Sequence, residues 1–79
     1  MYTVYVLKNP KGVLYKGCTD NLSRRFVEHN SGHTVSTRNR GPWDIVYKEE
    51  FTDRKEALAR ERFFKSGKGR EMLKRIVDK

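Results

Sequence analysis

Two short runs rich in β-branched and aromatic residues, Tyr2–Leu7 and Val13–Cys18, open the chain, with Asn9-Pro10-Lys11-Gly12 between them. Runs of that make-up joined by Pro and Gly predict two strands paired as a hairpin. If Leu7 faces Val13 across a five-residue loop, Tyr5 stands opposite Tyr15 on one face, because side chains alternate along each strand. A one-residue slip would separate the two phenols. Held side by side on a sheet, they are a candidate functional pair.

The pattern then changes to helical. Thr19-Asp20-Asn21 offers capping oxygens to a helix over residues 22–30, which Ser31-Gly32 ends. Leu22 and Phe26 form its apolar seam, with Arg25 and His29 together on the flank and Arg24 and Glu28 pointing further away. Ordinary half-solvated boundary residues would occupy the same flank. Residues 31–42 fit neither period and predict a loop, whose hydroxyls interleaved with Arg38 and Arg40 suit phosphate contacts and suit a solvated loop nearly as well. Trp43–Phe51 predicts a third strand with Trp43, Ile45, Tyr47 and Phe51 on one face, interrupted by Glu49. Thr52 or Asp53 caps a helix over 54–66, along which Glu61 projects toward the sheet between Ala57, Leu58 and Phe64. A carboxylate there must be paired, hydrogen-bonded or bound to a metal, and a salt bridge to a nearby Arg satisfies it as well as a metal does. Ser66-Gly67-Lys68-Gly69 predicts a break before a last helix over 70–77, with Met72, Leu73, Ile76 and Val77 inward and Arg70, Lys74, Arg75 and Lys79 outward. The order is β-β-α-β-α-α, an α+β chain.

At 79 residues the chain is expected to form one domain with a small core and a shallow site. Lys and Arg outnumber Asp and Glu by 18 to 10, and residues 54–79 alone hold ten bases and four acids. Such an end attracts polyanions, nucleic acid first among them, although an anionic membrane surface or an acidic protein gives the same signal. The single Cys18 excludes an intramolecular disulfide and suits a reducing cytoplasm. No run approaches a membrane span and no basic-then-apolar leader opens the chain, so a cytoplasmic protein without membrane association is expected. Gly67-Lys68-Gly69 lacks P-loop spacing, which argues against nucleoside triphosphate binding.

In order, then, the chain carries Thr3-Val4-Tyr5, Tyr15-Lys16-Gly17, Leu22-x-x-Arg25 with His29 one turn on, a third strand, and Glu61 within Glu56-Ala57-Leu58-Ala59-Arg60-Glu61, followed by the run Lys65–Glu71. This combination, which covers nearly the whole chain, resembles the GIY-YIG nuclease superfamily, in particular the small stand-alone bacterial members related to the amino-terminal domain of excinuclease C. The resemblance implies a three-stranded antiparallel sheet flanked by helices, and cleavage of a phosphodiester with a divalent cation, Mg²⁺ or Mn²⁺. It implies Tyr5 as general base or orienter of water, Tyr15 as its assistant, Arg25 as stabiliser of phosphoryl charge, His29 as the group tuning Tyr5, and Glu61 as the metal ligand. A phenol with its usual pKa near 10 needs nearby cations to act as a base. Four departures stand out: Thr3 replaces the first signature glycine, Lys16 the central isoleucine of the second triplet, Cys18 a lysine that several relatives place there, and no asparagine follows the helix of Glu61 as it does in some relatives.

The expected function is therefore a metal-dependent endonuclease, on DNA in preference to RNA, selective for structure or acting in repair or recombination. Lys16, Arg38, Arg40, Lys65, Lys68 and Arg70 are the expected nucleic-acid contacts, and a protein partner or weak homodimer would supply specificity. The alternatives are a nucleic-acid-binding module with little or no catalysis, which Cys18 motivates, and a protein-interaction adaptor that uses only the basic surface.

Overall fold

The structure is a computed structural model that describes residues 1–32 and 40–77. It contains β1 (Tyr2–Lys8), β2 (Leu14–Thr19), α1 (Leu22–Asn30), β3 (Asp44–Phe51), α2 (Arg54–Lys65) and α3 (Gly67–Val77), in the predicted order. The strands form one antiparallel sheet, β2-β1-β3. Central β1 is buried from Thr3 through Leu7. Its apolar residues serve two layers, since Tyr5 and Leu7 pack with Trp43, Leu22 and Phe26, whereas Val4 and Val6 pack with Ala57, Phe64 and Leu73. Helix α1 thus covers one face of the sheet, and α2 with α3 cover the other.

The hairpin register differs from expectation by two residues. Leu7 pairs with Tyr15 and Tyr5 with Gly17. The cause lies in the turn, where the Asn9 side-chain oxygen accepts from the Lys11 and Val13 amides at 3.1 and 2.8 Å. Gly12 closes the loop at φ 83°, and its amide reaches the Asn9 carbonyl at 3.0 Å. Strand pairing consequently runs up to Lys8 and Leu14. A slip of two preserves the face, so Tyr5 and Tyr15 remain neighbours along a diagonal.

Strand β3 does not keep one face. Val6 pairs with Tyr47 but Leu7 with Ile45, which leaves Val46 as an extra residue. A bulge of this kind reverses the alternation beyond it. Trp43 accordingly joins the Tyr5 layer, while Tyr47 and Phe51 join the Val4 layer. Glu49 is no interruption, because it sits in the second layer accepting from Arg60 Nε at 3.0 Å and from the Tyr47 hydroxyl at 3.2 Å.

The break between the last two helices is one residue, not four. Ser66 adopts an extended conformation, and its hydroxyl oxygen accepts from the Gly69 amide at 3.3 Å, so α3 begins at Gly67. Gly69 lies inside the first turn because α2 passes directly beside it: a Cβ there would lie 2.5 Å from the Phe63 carbonyl carbon and 2.7 Å from the Phe64 Cα. No helix among the described residues is long and apolar enough to cross a membrane.

Replacing Gly69 with Ala is expected to destabilise the chain by about 1–3 kcal/mol despite the better helix propensity of Ala, since the obstacle is backbone that cannot rotate away. Urea unfolding should show a lower midpoint with an unchanged slope. A midpoint equal to or above wild type would show that the two helices separate without cost.

Candidate active site

The site is assembled around Tyr5, which is 1% exposed although its phenol is polar. The ring lies across its cross-strand partner Gly17: a Cβ at that position would sit 2.5 Å from the Tyr5 hydroxyl and 2.6 Å from Cζ. The glycine of Tyr15-Lys16-Gly17 therefore provides the space in which the phenol rests. The phenol oxygen meets Nε2 of His29 at 2.9 Å.

His29 reaches that position because α1 is fixed at both ends. Asn21 caps its start by accepting from the Arg24 amide at 3.1 Å, and Gly32 follows its end at φ 82°. The seam of Leu22 and Phe26 packs onto Tyr5 and Leu7, and His29 follows it inward to 1% exposure. It is a core residue. The ring of Tyr15 lies 4.8 Å from His29 and 6.3 Å from Tyr5 between centroids, and Trp43 borders Tyr15 at 6.5 Å. The place of Trp43 beside the phenols and its anchor escaped the sequence reading: Asn30 holds the Trp43 backbone on both sides, accepting from its amide at 2.7 Å and donating to its carbonyl at 3.1 Å. Only an asparagine at a helix end hinted at this clamp.

Arg25 stays at the boundary with its side chain 36% exposed, donating to Glu28 at 3.2 Å. Glu28 thus turns toward Arg25, not away from it. The guanidinium also lies beside the Tyr5 hydroxyl and favours its ionised form. Burial and the neighbouring Tyr15 outweigh it and push the Tyr5 pKa up to about 12. For His29, burial and then the charge of Arg25 lower the pKa, against a smaller opposing effect of Glu28. At neutral pH the pair is a neutral phenol on a neutral imidazole.

Glu61 comes from α2, on the other layer. It pairs with Lys65 at 3.4 Å, its side chain 21% exposed, and its charge acts on both Tyr5 and Cys18. Among the described residues no three His, Cys, Asp or Glu side chains gather as a cation cage. One partly exposed carboxylate nonetheless fits a Mg²⁺-like ion, which keeps several waters and takes one or two protein oxygens beside substrate phosphate.

The model of the GIY-YIG catalytic domain matches residues 1–75. The chain belongs to the GIY-YIG family. A UPF0213 protein of Clostridium perfringens is 40% identical, over 100% of this chain and 86% of its own length. Another from Lactiplantibacillus plantarum is 43% identical, over 81% of this chain and 66% of its own length. The solution NMR structure of a UPF0213 protein from Bacillus halodurans is similar with a TM-score of 0.57 and 35% identity, covering 92% of this chain and 82% of that one. A GIY-YIG catalytic domain implies nuclease-type chemistry.

Two features of this GIY-YIG chain sharpen the comparison. Cys18 is half-buried, and burial followed by Glu61 raises its thiol pKa, so no cation stands there. Lys16 pairs with Val6 and lies on the α2/α3 side of the sheet, away from the phenols. Of the expected nucleic-acid contacts, Arg40 sits by the hairpin turn with its carbonyl accepting from Asn9 Nδ2 at 3.1 Å, and Lys68 is exposed on α3. Arg38 lies outside the described residues.

Replacing Gly17 with Ala should displace the Tyr5 ring and break its bond to His29, visible as a shift of the His29 ring resonances; unchanged shifts would show that the strand yields instead. The depressed His29 pKa has a pH consequence. The unfolded imidazole, with the ordinary value of 6.5, takes up a proton before the folded one does. Stability should be full above that pH and fall as pH drops through the lower folded value. Tm measured between about pH 7.5 and about pH 5 should decline in wild type, and much less steeply in His29→Gln. Equal slopes would contradict this.

Proposed function

We propose that the chain is a cytoplasmic, metal-dependent endonuclease acting as a single domain on nucleic acid, DNA in preference to RNA. The observation that carries this reading is the bond between the Tyr5 hydroxyl and His29 beside Arg25, on the face shared with Tyr15. With Arg25 acting on the phenol oxygen, the Tyr5 proton is directed at the His29 lone pair. Neutral His29 then draws that proton as the Tyr5 oxygen takes one from the attacking water, so the phenol relays a proton that it could not release alone at neutral pH. Tyr15 holds the phosphate against the pair. Arg25 forks onto the non-bridging oxygens and offsets the charge that develops there. Glu61 would hold Mg²⁺ or Mn²⁺, which when bound supplies positive charge to the phosphate and the departing oxygen. Lys65 pairs with Glu61 at 3.4 Å.

A second reading, nucleic-acid binding with little or no catalysis, is favoured by Cys18 alone, since a neutral thiol stands where several relatives place a lysine.

Nicking of supercoiled DNA with Mg²⁺ or Mn²⁺ decides between them. Arg25→Ala and Glu61→Gln should each slow cutting by about 100-fold to 1,000-fold, and Tyr5→Phe by about 100-fold or more. Metal-dependent cutting by wild type excludes the second reading, whereas cutting that persists unchanged in all three variants removes the site.

A further inference from the structure

The edge strand β2 has a reverse side. Cys18, Lys16 and Leu14 project there, paired with Val4, Val6 and Lys8 of β1. Along this side run Glu61 and Lys65 at the end of α2, then Arg70 and Lys74 on α3. Glu61 acts electrostatically on Cys18, while Lys65 and Arg70 act on Lys16, so the two rows advance together from the Glu61 end. Beyond Lys16 they enclose a groove of about 290 Å³, whose described lining includes Lys8, Lys16, Arg70 and Lys74 and no carboxylate. Leu14 and Val77 complete its wall with apolar surface. Arg70 and Lys74 are exposed and Lys16 is half-buried. Crowding like charges around a half-buried ammonium opposes folding, and the Lys16 pKa is lowered by burial, then by Arg70 and Lys65. A row of negative charges laid along the groove would relieve that repulsion.

Resting on the assignment of Glu61 to the cutting end, we propose that this groove is a backbone track: the nucleic-acid strand that presents its scissile phosphate at Glu61 continues over the β2 edge and lays its flanking phosphates on Lys16, Arg70 and Lys74. Consecutive β2 residues then serve one substrate from opposite faces, Tyr15 at the reacting phosphate and Lys16 at its neighbours. The apolar wall of Leu14 and Val77 accommodates sugar faces. Base edges are not read in this groove, so the contribution is independent of sequence.

The test is the salt dependence of binding, measured by fluorescence anisotropy on a labelled single-stranded oligonucleotide of roughly 15 nucleotides without divalent cation, so that no cleavage is required. Each phosphate contact contributes a slope of about −0.7 in log K against log salt for single strands. The double variant Lys16→Gln, Arg70→Gln should shallow the slope by about 1.4, equally on unrelated sequences. Lys55→Gln, an exposed cation at the far end of α2, should leave the slope close to wild type. Thermal melting keeps the result interpretable: removing Lys16 from its crowded setting should leave Tm unchanged or raised. A slope unchanged in the double variant overturns the track even if Glu61→Gln abolishes cutting. A slope that falls as expected supports it even if cutting proves independent of Glu61, in which case the assignment of Glu61 to the cutting end fails and the phosphate surface stands. Binding of the wild type to anionic lipid vesicles, together with no difference between wild type and double variant on DNA, would assign the groove to a membrane surface and also overturn it.

Discussion

The architecture depends on burying one phenol. Tyr5 sits in the middle of the central strand, 1% exposed, and a buried hydroxyl without a partner is costly. Gly17 gives the ring room, His29 supplies the partner, and α1 must dock to deliver it. The hairpin register is equally constrained, since any other residue opposite Tyr5 would fill the space its ring occupies. The contacts that fold the core also assemble the candidate site, so Tyr5, Tyr15 and His29 are held on strands and a helix and not on loops.

The same burial makes the phenol a reluctant acid, held up to about 12. A group so placed needs help from more than one direction. Arg25 acts from the boundary of α1 and His29 meets the hydroxyl from within the core, while Glu61, paired with Lys65, opposes ionisation from the other layer. The site is thus built across the sheet edge. The Arg25 guanidinium and the His29 imidazole lie on one layer and the Glu61 carboxylate on the other.

Much of this was legible in the sequence, and the exceptions have definite causes. Capping and turn residues located the helices and strands, so Asn21 and Asp53 mark helix starts as expected. The shared face of Tyr5 and Tyr15 survived an incorrect register because the error was even. Three features were hidden. The Asn9 side chain shifts the hairpin loop along the chain through bonds that composition does not specify. Gly69 reads as a breaker, but in the fold it permits two helices to touch. His29 reads as a boundary residue on its own helix, and only the sheet packed against that helix makes it core.

The extra residue at Val46 gives β3 a divided allegiance. On its amino-terminal side the strand belongs to the layer of Trp43 and the phenols, and on its carboxyl-terminal side to the layer of Glu49 and Arg60. A regular strand would have tied both sets of side chains to one surface. With the bulge, each half of β3 answers to a different helix layer, so changes that refit one half to a new helix packing leave the other free to keep its aromatic contacts. A single unpaired residue makes one short strand into two units that selection can act on separately.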